Sequence, residues 1–221
     1  MKSSLFYTDQ YMQLEQRIVE FLNTQRDYLS AITVKSIRAV GDAIQDILAD
    51  HFPEILQDER IKYSIGFARR AMADLAFEDH EGFYYVVDVK THRLHDTKFN
   101  MPDLTSVERL SRFYEDDKNY FVVLFISYEA QSTGVISKRV QLIPIEFLKW
   151  DCLTLGALGW GQIQIANSNN ISVKPGYSRK AWMLGLCDNL LDFYPREIYK
   201  INQRIDHFKK IKILWESRPD E

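Results

Sequence analysis

The run FVVLFISY, residues 121–128, is the feature of this chain that most restricts how it can fold. Side chains alternate between the two faces of a β-strand, and both alternating sets in this run are dominated by apolar residues. A strand of this kind is stable where both of its faces are covered. The run therefore predicts a central strand of a sheet that carries packed elements on its faces.

Shorter patterns before this run predict the elements that precede it. Apolar residues recur at helical spacing over 11–22 and 37–52, and Pro53 is expected to end the second helix. Two apolar runs separated by EDHEG predict a hairpin with strands at 73–77 and 83–89. Pro102 and Asp103 are expected to begin a third helix before the central strand.

The remaining elements follow the central strand. Strands are predicted at 135–143 and 162–166, Ser178 is expected to cap a helix through Leu191, and Pro195 is expected to start the last helix. This order predicts an α/β fold in which a mixed β-sheet is flanked by α-helices. A chain of 221 residues with 46% hydrophobic content fits one domain, 1–221.

Charge and hydropathy narrow the functional classes. No apolar run approaches the roughly 18 residues that a membrane-spanning helix needs, and the first residues lack a secretory signal, so we expect a cytoplasmic protein with no membrane partner. The net charge is −3, yet five basic residues and one acid occur over 198–212. This basic stretch is either a solvated helix face or a surface that meets phosphates.

The hairpin carries three charged residues where strands rarely have them, namely Asp74, Asp88 and Lys90. A three-residue turn ending at Gly82 would suit the left-handed backbone that glycine accepts, and it places Asp74 opposite Asp88. Because side chains alternate along a strand, Lys90 lies on the same face as Asp88. The spacing therefore predicts two carboxylates and an ammonium in one cluster.

Two carboxylates about 5 Å apart on a partly buried sheet repel one another, and a divalent cation removes that cost. Mg²⁺ favours carboxylate oxygens, waters and phosphate oxygens, and Lys90 could orient or deprotonate an attacking water. The other interpretation of the same spacing is a structural ion pair at the end of a strand.

The element D-x13-D-x-K resembles the motif of the PD-(D/E)xK nucleases, and within them type II restriction endonucleases of the HincII and EcoRV kind. The family's first acid corresponds to Asp74, and its D-x-K element to Asp88, Val89 and Lys90. The resemblance implies a restriction-endonuclease-like fold, Mg²⁺ held by Asp74, Asp88 and the backbone oxygen of Val89, and Lys90 as the residue that positions water. Thr91, which follows the motif, becomes a candidate DNA contact.

Other segments resemble the HincII type in the same order along the chain. GDAIQDIL is similar to a family helix that begins G-E and carries a glutamate near the metal, and the corresponding positions are Asp42 and Gln45. They could support the first ion from behind its ligands or hold a second one, although Gln45 in place of the glutamate would weaken a second metal site. NMPDLTSV is similar to a segment whose amide contacts stacked bases, which points to Asn100. The other interpretation of Asn100 is a simple cap of the helix predicted to begin at Pro102. GWGQIQIA resembles the strand after the family's base-reading loop, so Gln162 is a candidate DNA contact, and GYSRKAW and DHFKKI resemble terminal helices. Trp160, between two glycines, could stack on DNA or fill the core.

The resemblance implies a homodimeric, Mg²⁺-dependent type II restriction endonuclease that cleaves double-stranded DNA at a short palindromic site and leaves blunt ends. One catalytic cluster per chain requires two chains to cut two strands. Two other functions fit the residues: a nuclease of the same superfamily that acts in repair or recombination, and a non-catalytic DNA-binding or assembly protein.

Overall fold

The computed structural model describes residues 2–25, 29–30, 33–56, 62–63, 74–95, 100–131 and 134–219. The chain divides into two compact units, one of residues 1–177 and one of residues 178–221. The first unit contains the sheets and the candidate site, and the second is formed by one long helix.

The described residues form five α-helices and eight strands, which are numbered here in chain order. The helices are α1 (Ser4–Tyr7), α2 (Gln10–Thr24), α3 (Ile37–Leu56), α4 (Val107–Phe113) and α5 (Arg179–Glu216). The strands are β1 (Lys62–Tyr63), β2 (Leu75–Glu78), β3 (Tyr84–Arg93), β4 (Asp103–Ser106), β5 (Asn119–Ala130), β6 (Val135–Pro144), β7 (Leu153–Gly156) and β8 (Gln162–Ile165).

The main sheet is mixed and has the strand order β1-β2-β3-β5-β6. Strand β3 pairs antiparallel with β2 and parallel with β5, and β5 pairs antiparallel with β6. A second, three-stranded antiparallel sheet has the order β4-β8-β7. The predicted mixed sheet flanked by helices is therefore confirmed.

Strand β5 is the buried centre predicted from its sequence. Phe121, Val122, Val123 and Leu124 are fully buried, so both faces of the strand are covered. Helix α2 packs against β6 and α3 contacts β3, each through an apolar stripe at helical spacing. These stripes contain Leu14, Ile18 and Leu22 in α2 and Val40, Ile44, Leu48 and Phe52 in α3.

The turn between β2 and β3 fixes the register of the predicted hairpin. The carboxylate of Asp79 accepts hydrogen bonds from the backbone N–H groups of Glu81 and Phe83 and from the hydroxyl of Tyr85. Gly82 has a φ of 77°, the left-handed conformation that the sequence predicted at this position. Leu75 pairs with Val87 in the resulting register, and the N–H of the next residue back, Asp74, donates to the carbonyl of Val87, beside Asp88.

We expect Gly82→Ala to lower the free energy of unfolding by about 1–2 kcal/mol, because an L side chain is strained in the left-handed region. The added methyl group would also lie 3.1 Å from the ammonium of Lys118. Gly134→Ala is the matched control, since no atom of the described residues beyond its chain neighbours lies within 4 Å of the added Cβ. Urea denaturation of both variants checks this expectation, and equal losses of stability would contradict it.

Three predicted helix boundaries at prolines are wrong. Helix α3 continues past Pro53 to Leu56, because its last turn buries Ile55 and Leu56 and the carbonyl of Leu56 accepts from Arg17 at 2.7 Å. Helix α5 likewise continues through Pro195, which removes a single N–H donor from a 38-residue helix.

The third correction concerns Pro102 and Asp103, which do not begin a helix. Asp103 starts β4, and pairing with the edge of β8 outweighs the local preference for a helix start. Helix α4 begins only at Val107, with Ser106 at its N-cap. Ala73, the predicted start of β2, lies outside the described residues. Among the helices of the described ranges, none is both long and apolar enough to cross a membrane.

Candidate active site

The predicted pair of Asp88 and Lys90 lies on β3, between β2 and β5. The ammonium Nζ of Lys90 donates to Oδ1 of Asp88 at 2.9 Å, which confirms that the two side chains share a face of the strand. The side chain of Asp88 is 9% exposed and that of Lys90 is 24% exposed. The acid is therefore inside the protein while the ammonium reaches the surface.

Asp74 is held against the same strand by two hydrogen bonds. Its backbone N–H donates to the carbonyl of Val87 at 3.1 Å, and its Oδ2 accepts from the N–H of Val89 at 2.7 Å. Both predicted acids thus depend on β3 for their positions. The carboxylate of Asp74 is also close enough to Asp88 to influence its ionisation.

The surroundings of Asp88 disfavour the charged form of its carboxyl group. Burial raises its pKa to about 7, and repulsion from Asp74 and Asp103 acts in the same direction, against the attraction of Lys90. Within the described part of the chain, Oδ2 of Asp88 is buried and accepts no hydrogen bond. An unsatisfied buried oxygen of this kind carries a desolvation cost of about 1–3 kcal/mol or more.

These donors fit Mg²⁺, which takes one or two carboxylates and fills its other positions with water and phosphate oxygens. Asp74 and Asp88 supply carboxylates, and Val89, whose carbonyl is the third candidate ligand, directly follows Asp88 on β3. The unsatisfied Oδ2 of Asp88 is the atom that a cation would stabilise. No group of three His, Cys, Asp or Glu side chains that could hold a metal occurs among the described residues. The candidate ligands are therefore two acids and one backbone oxygen.

Helix α3 reaches this strand at the segment that the sequence singled out. A Cβ at Gly41 would lie 3.0 Å from Oγ1 of Thr91, so the glycine allows a close approach of helix and strand. One turn later, Nε2 of Gln45 donates to the carbonyl of Val89 at 3.4 Å. Asp42 instead is exposed and lies 4.0 Å from Arg38. The structure therefore brings Gln45 and Thr91 to the cluster region and leaves Asp42 on the surface.

Two further residues near the cluster were not identified from the sequence. Asp103, on β4, raises the pKa of Asp88, and its Oδ1 accepts from Nε2 of Gln164 at 2.6 Å. Asp103 was not identified as a site residue because Pro102 and Asp103 were interpreted as the start of a helix. Leu104 and the β-branched Thr105, both of which are buried, are the signal that could have indicated a strand.

The other candidate DNA contacts lie on loops and on a strand of the second sheet. Trp160 is 59% exposed between Gly159 and Gly161, both at positive φ, so it does not fill the core. Gln162 begins β8 and pairs with Ser106.

Asn100 is exposed, and its main chain exchanges hydrogen bonds with Ser168, the N–H donating to Oγ of Ser168 and the carbonyl accepting from its N–H, each at 3.0 Å. It lies seven residues before α4, and so it cannot cap that helix, as one interpretation of the sequence required. Its side chain remains a candidate contact to DNA.

Comparison with known proteins adds no family to this description. The chain matches no protein-family model, and no curated protein sequence matches it. We therefore infer function from the side chains that meet at β3.

Proposed function

We propose that this protein is a Mg²⁺-dependent type II restriction endonuclease with a restriction-endonuclease-like fold. The observation that carries the proposal is the cluster on β3. Among the described residues, Asp88 is buried with one oxygen that accepts no hydrogen bond, Lys90 pairs with its other oxygen, and Asp74 is tied to the N–H of Val89. A metal site needs a carboxylate oxygen that is available to the ion, and Oδ2 of Asp88 meets that need.

Asp74, Asp88 and the carbonyl of Val89 would hold the ion, which when bound would stabilise the negative charge that develops on a phosphodiester. Lys90 orients the attacking water and adds positive charge beside the scissile phosphate. Burial by the surrounding sheet strengthens these interactions because the local dielectric is low. Gln45 holds the carbonyl of Val89, and the Asp103–Gln164 pair bounds the site at β4.

The proposed substrate is double-stranded DNA with a short palindromic site, cut to blunt ends by a homodimer. Trp160 is suited to stacking on a base or packing in a groove, because its indole is exposed between two glycines. Asn100 and Gln162 carry amides that can bond to base edges, and Thr91 could contact a phosphate. These roles come from the resemblance and from the placement of the residues.

Digestion of diverse genomic DNA by the purified full chain, with Mg²⁺ or with EDTA, tests the proposal. We expect discrete fragments only with Mg²⁺, and sequenced ends that are blunt and share one palindrome. Cleavage confined to branched or nicked substrates would instead indicate a repair or recombination nuclease. Binding without any cleavage would indicate a non-catalytic DNA-binding or assembly protein, in which the cluster on β3 is structural.

A further inference from the structure

Helix α5 carries a row of exposed side chains that is unusual for a protein surface. This row, here called the seam, has eight members separated alternately by three and four residues, and seven of the eight are apolar. The seam consists of Leu191, Tyr194, Ile198, Ile201, Ile205, Phe208, Lys212 and Trp215. Exposure of its apolar members ranges from 38% at Tyr194 to 71% at Leu191.

This spacing is the heptad pattern with which α-helices pack side by side in coiled coils. It spans 25 residues, or about 37 Å of helix. Pro195 lies beside the seam rather than in it, so the proline does not interrupt the row. Ile213 and Leu214 are exposed next to Trp215 and broaden the apolar surface at the end of the helix.

We infer that the seam is a dimer interface, and that its occupant is the same seam of a second copy of this chain, packed antiparallel. Large apolar side chains present roughly 200 Å² each, so the exposed fractions of the seam correspond to roughly 800 Å² per chain. A stable interface buries about 800 Å² on each partner. The seam alone therefore supplies the area that a specific dimer needs.

The distribution of charge along α5 decides how the two helices of the dimer are oriented. The part of α5 over 188–197 contains three acids and one arginine, whereas the part over 200–212 contains five basic residues and one acid. In an antiparallel pair with Ile201 of each chain beside Ile205 of the other, the acidic part lies opposite 209–218, which contains four basic residues and one acid, while a parallel pair places the basic part against its own copy. Antiparallel packing is therefore favoured.

The seam also has a self-complementary register in this orientation. When Ile201 of each chain lies beside Ile205 of the other, the same spacing places Leu191 beside Trp215 and Tyr194 beside Lys212. The ammonium of Lys212 then meets an aromatic ring, a favourable cation–π pair. A parallel dimer would instead set Lys212 against Lys212 inside the interface. This dimer would form whether or not the protein cleaves DNA.

The mass of the full-length chain in solution, measured by light scattering over a concentration series, tests the interface. We expect the parent to have twice its chain mass of 26.0 kDa. Ile201→Asp and Ile205→Asp should each raise the dissociation constant by at least about 100-fold, because a charge would be buried at the centre of the interface. Tyr199→Asp is the matched control, since Tyr199 is 65% exposed on the same helix but outside the seam.

Circular dichroism of each variant establishes that it is folded, so that a loss of mass reports on the interface. A monomeric parent would overturn the inference, whether or not that monomer binds vesicles of phosphatidylcholine and phosphatidylserine, the result expected of a helix that lies on a lipid surface. A dimer that survives both seam substitutions would overturn it as well. None of these measurements depends on nuclease activity.

Crosslinking tests the orientation. In a Cys187→Ser background, we expect a disulfide between a chain carrying Ile198→Cys and a chain carrying Phe208→Cys, because these positions are neighbours in the antiparallel register. The native Cys187, which continues the heptad spacing, should not crosslink to its copy, since the two would lie about 48 Å apart. Efficient crosslinking through Cys187 would show a parallel pair and overturn the proposed orientation.

Discussion

Lys90→Ala should reduce plasmid cleavage in the presence of Mg²⁺ by about 10²–10⁴-fold while the protein remains folded. The ammonium lies 2.9 Å from Oδ1 of Asp88 and reaches solvent, so it can contact both an attacking water and a phosphate. It cannot bind Mg²⁺ itself, and its removal raises the barrier without removing a metal ligand. Rates of plasmid cleavage at fixed enzyme concentration measure this effect.

The same variant separates a catalytic lysine from a structural one through its response to Mg²⁺. Without Lys90, the buried carboxylate of Asp88 loses a favourable interaction and keeps the unfavourable ones with Asp74 and Asp103, so the metal-free protein should be less stable at neutral pH. Mg²⁺ should then raise the melting temperature of the variant at least as much as it raises that of the parent.

Lys138→Ala is the matched control for this lysine. Lys138 is also a strand lysine paired with an acid, Glu129, at 3.1 Å, and it lies outside the site. The Lys138→Ala variant should therefore cleave plasmid DNA at the parental rate. A folded Lys90→Ala protein that cuts nearly as fast as the parent would remove Lys90 from the mechanism.

Asp88→Asn should lower the rate of DNA cleavage by about 10³-fold or more and at the same time stabilise the metal-free protein at alkaline pH. The loss of activity follows because the variant lacks the buried oxygen anion proposed to hold Mg²⁺. The gain in stability follows because the asparagine side chain carries no charge to desolvate. In EDTA at about pH 8.5, we expect the variant to be more stable than the parent by about 2–4 kcal/mol.

The sign of the pH dependence follows from the raised pKa of Asp88. That pKa rises from its ordinary value of 3.8 to about 7 in the folded protein, with burial as the main cause. Between these values the folded state holds a proton that the unfolded state has lost, so the stability of the parent falls as pH increases. Above about pH 7 this cost is complete, and Asp88→Asn should lack it at every pH.

Urea denaturation of parent and variant in EDTA from pH 4.5 to 8.5 measures the difference. Asp151→Asn is the control, because the side chain of Asp151 is 63% exposed, and it should leave both activity and pH dependence unchanged. A constant difference between parent and Asp88→Asn across this range would contradict the assignment.

Local sequence patterns predicted the elements whose geometry is set by nearby residues. Predicting the apolar strand β5 and the hairpin whose turn ends at Gly82 required no knowledge of distant residues. The register of the hairpin followed from its turn alone. Two of the three catalytic candidates, Asp88 and Lys90, are two residues apart on one strand, so alternation was sufficient to place them on one face.

Features that depend on distant partners were missed or misjudged. Prolines were interpreted as helix boundaries, yet buried side chains in the last turn of α3 carry that helix beyond Pro53. Asp103 became a strand residue because β8, about sixty residues later, offers it a backbone edge. Its influence on Asp88 could not be predicted without that pairing. The exposure of the seam on α5 likewise could not be predicted from the local sequence, because it depends on the three-dimensional structure.

The hairpin of β2 and β3 separates the site into a local part and a distant part. Asp74 and Asp88 come from a single hairpin, which can close in about 1–10 μs, whereas Gln45 and Asp103 arrive only when α3 and the second sheet dock. Opening of α3 or of β4 would therefore remove the flanking groups while the two acids stay together. We infer that the acid pair belongs to a more persistent cooperative unit than its surroundings, and slower hydrogen exchange at β3 than at α3 is the corresponding observation.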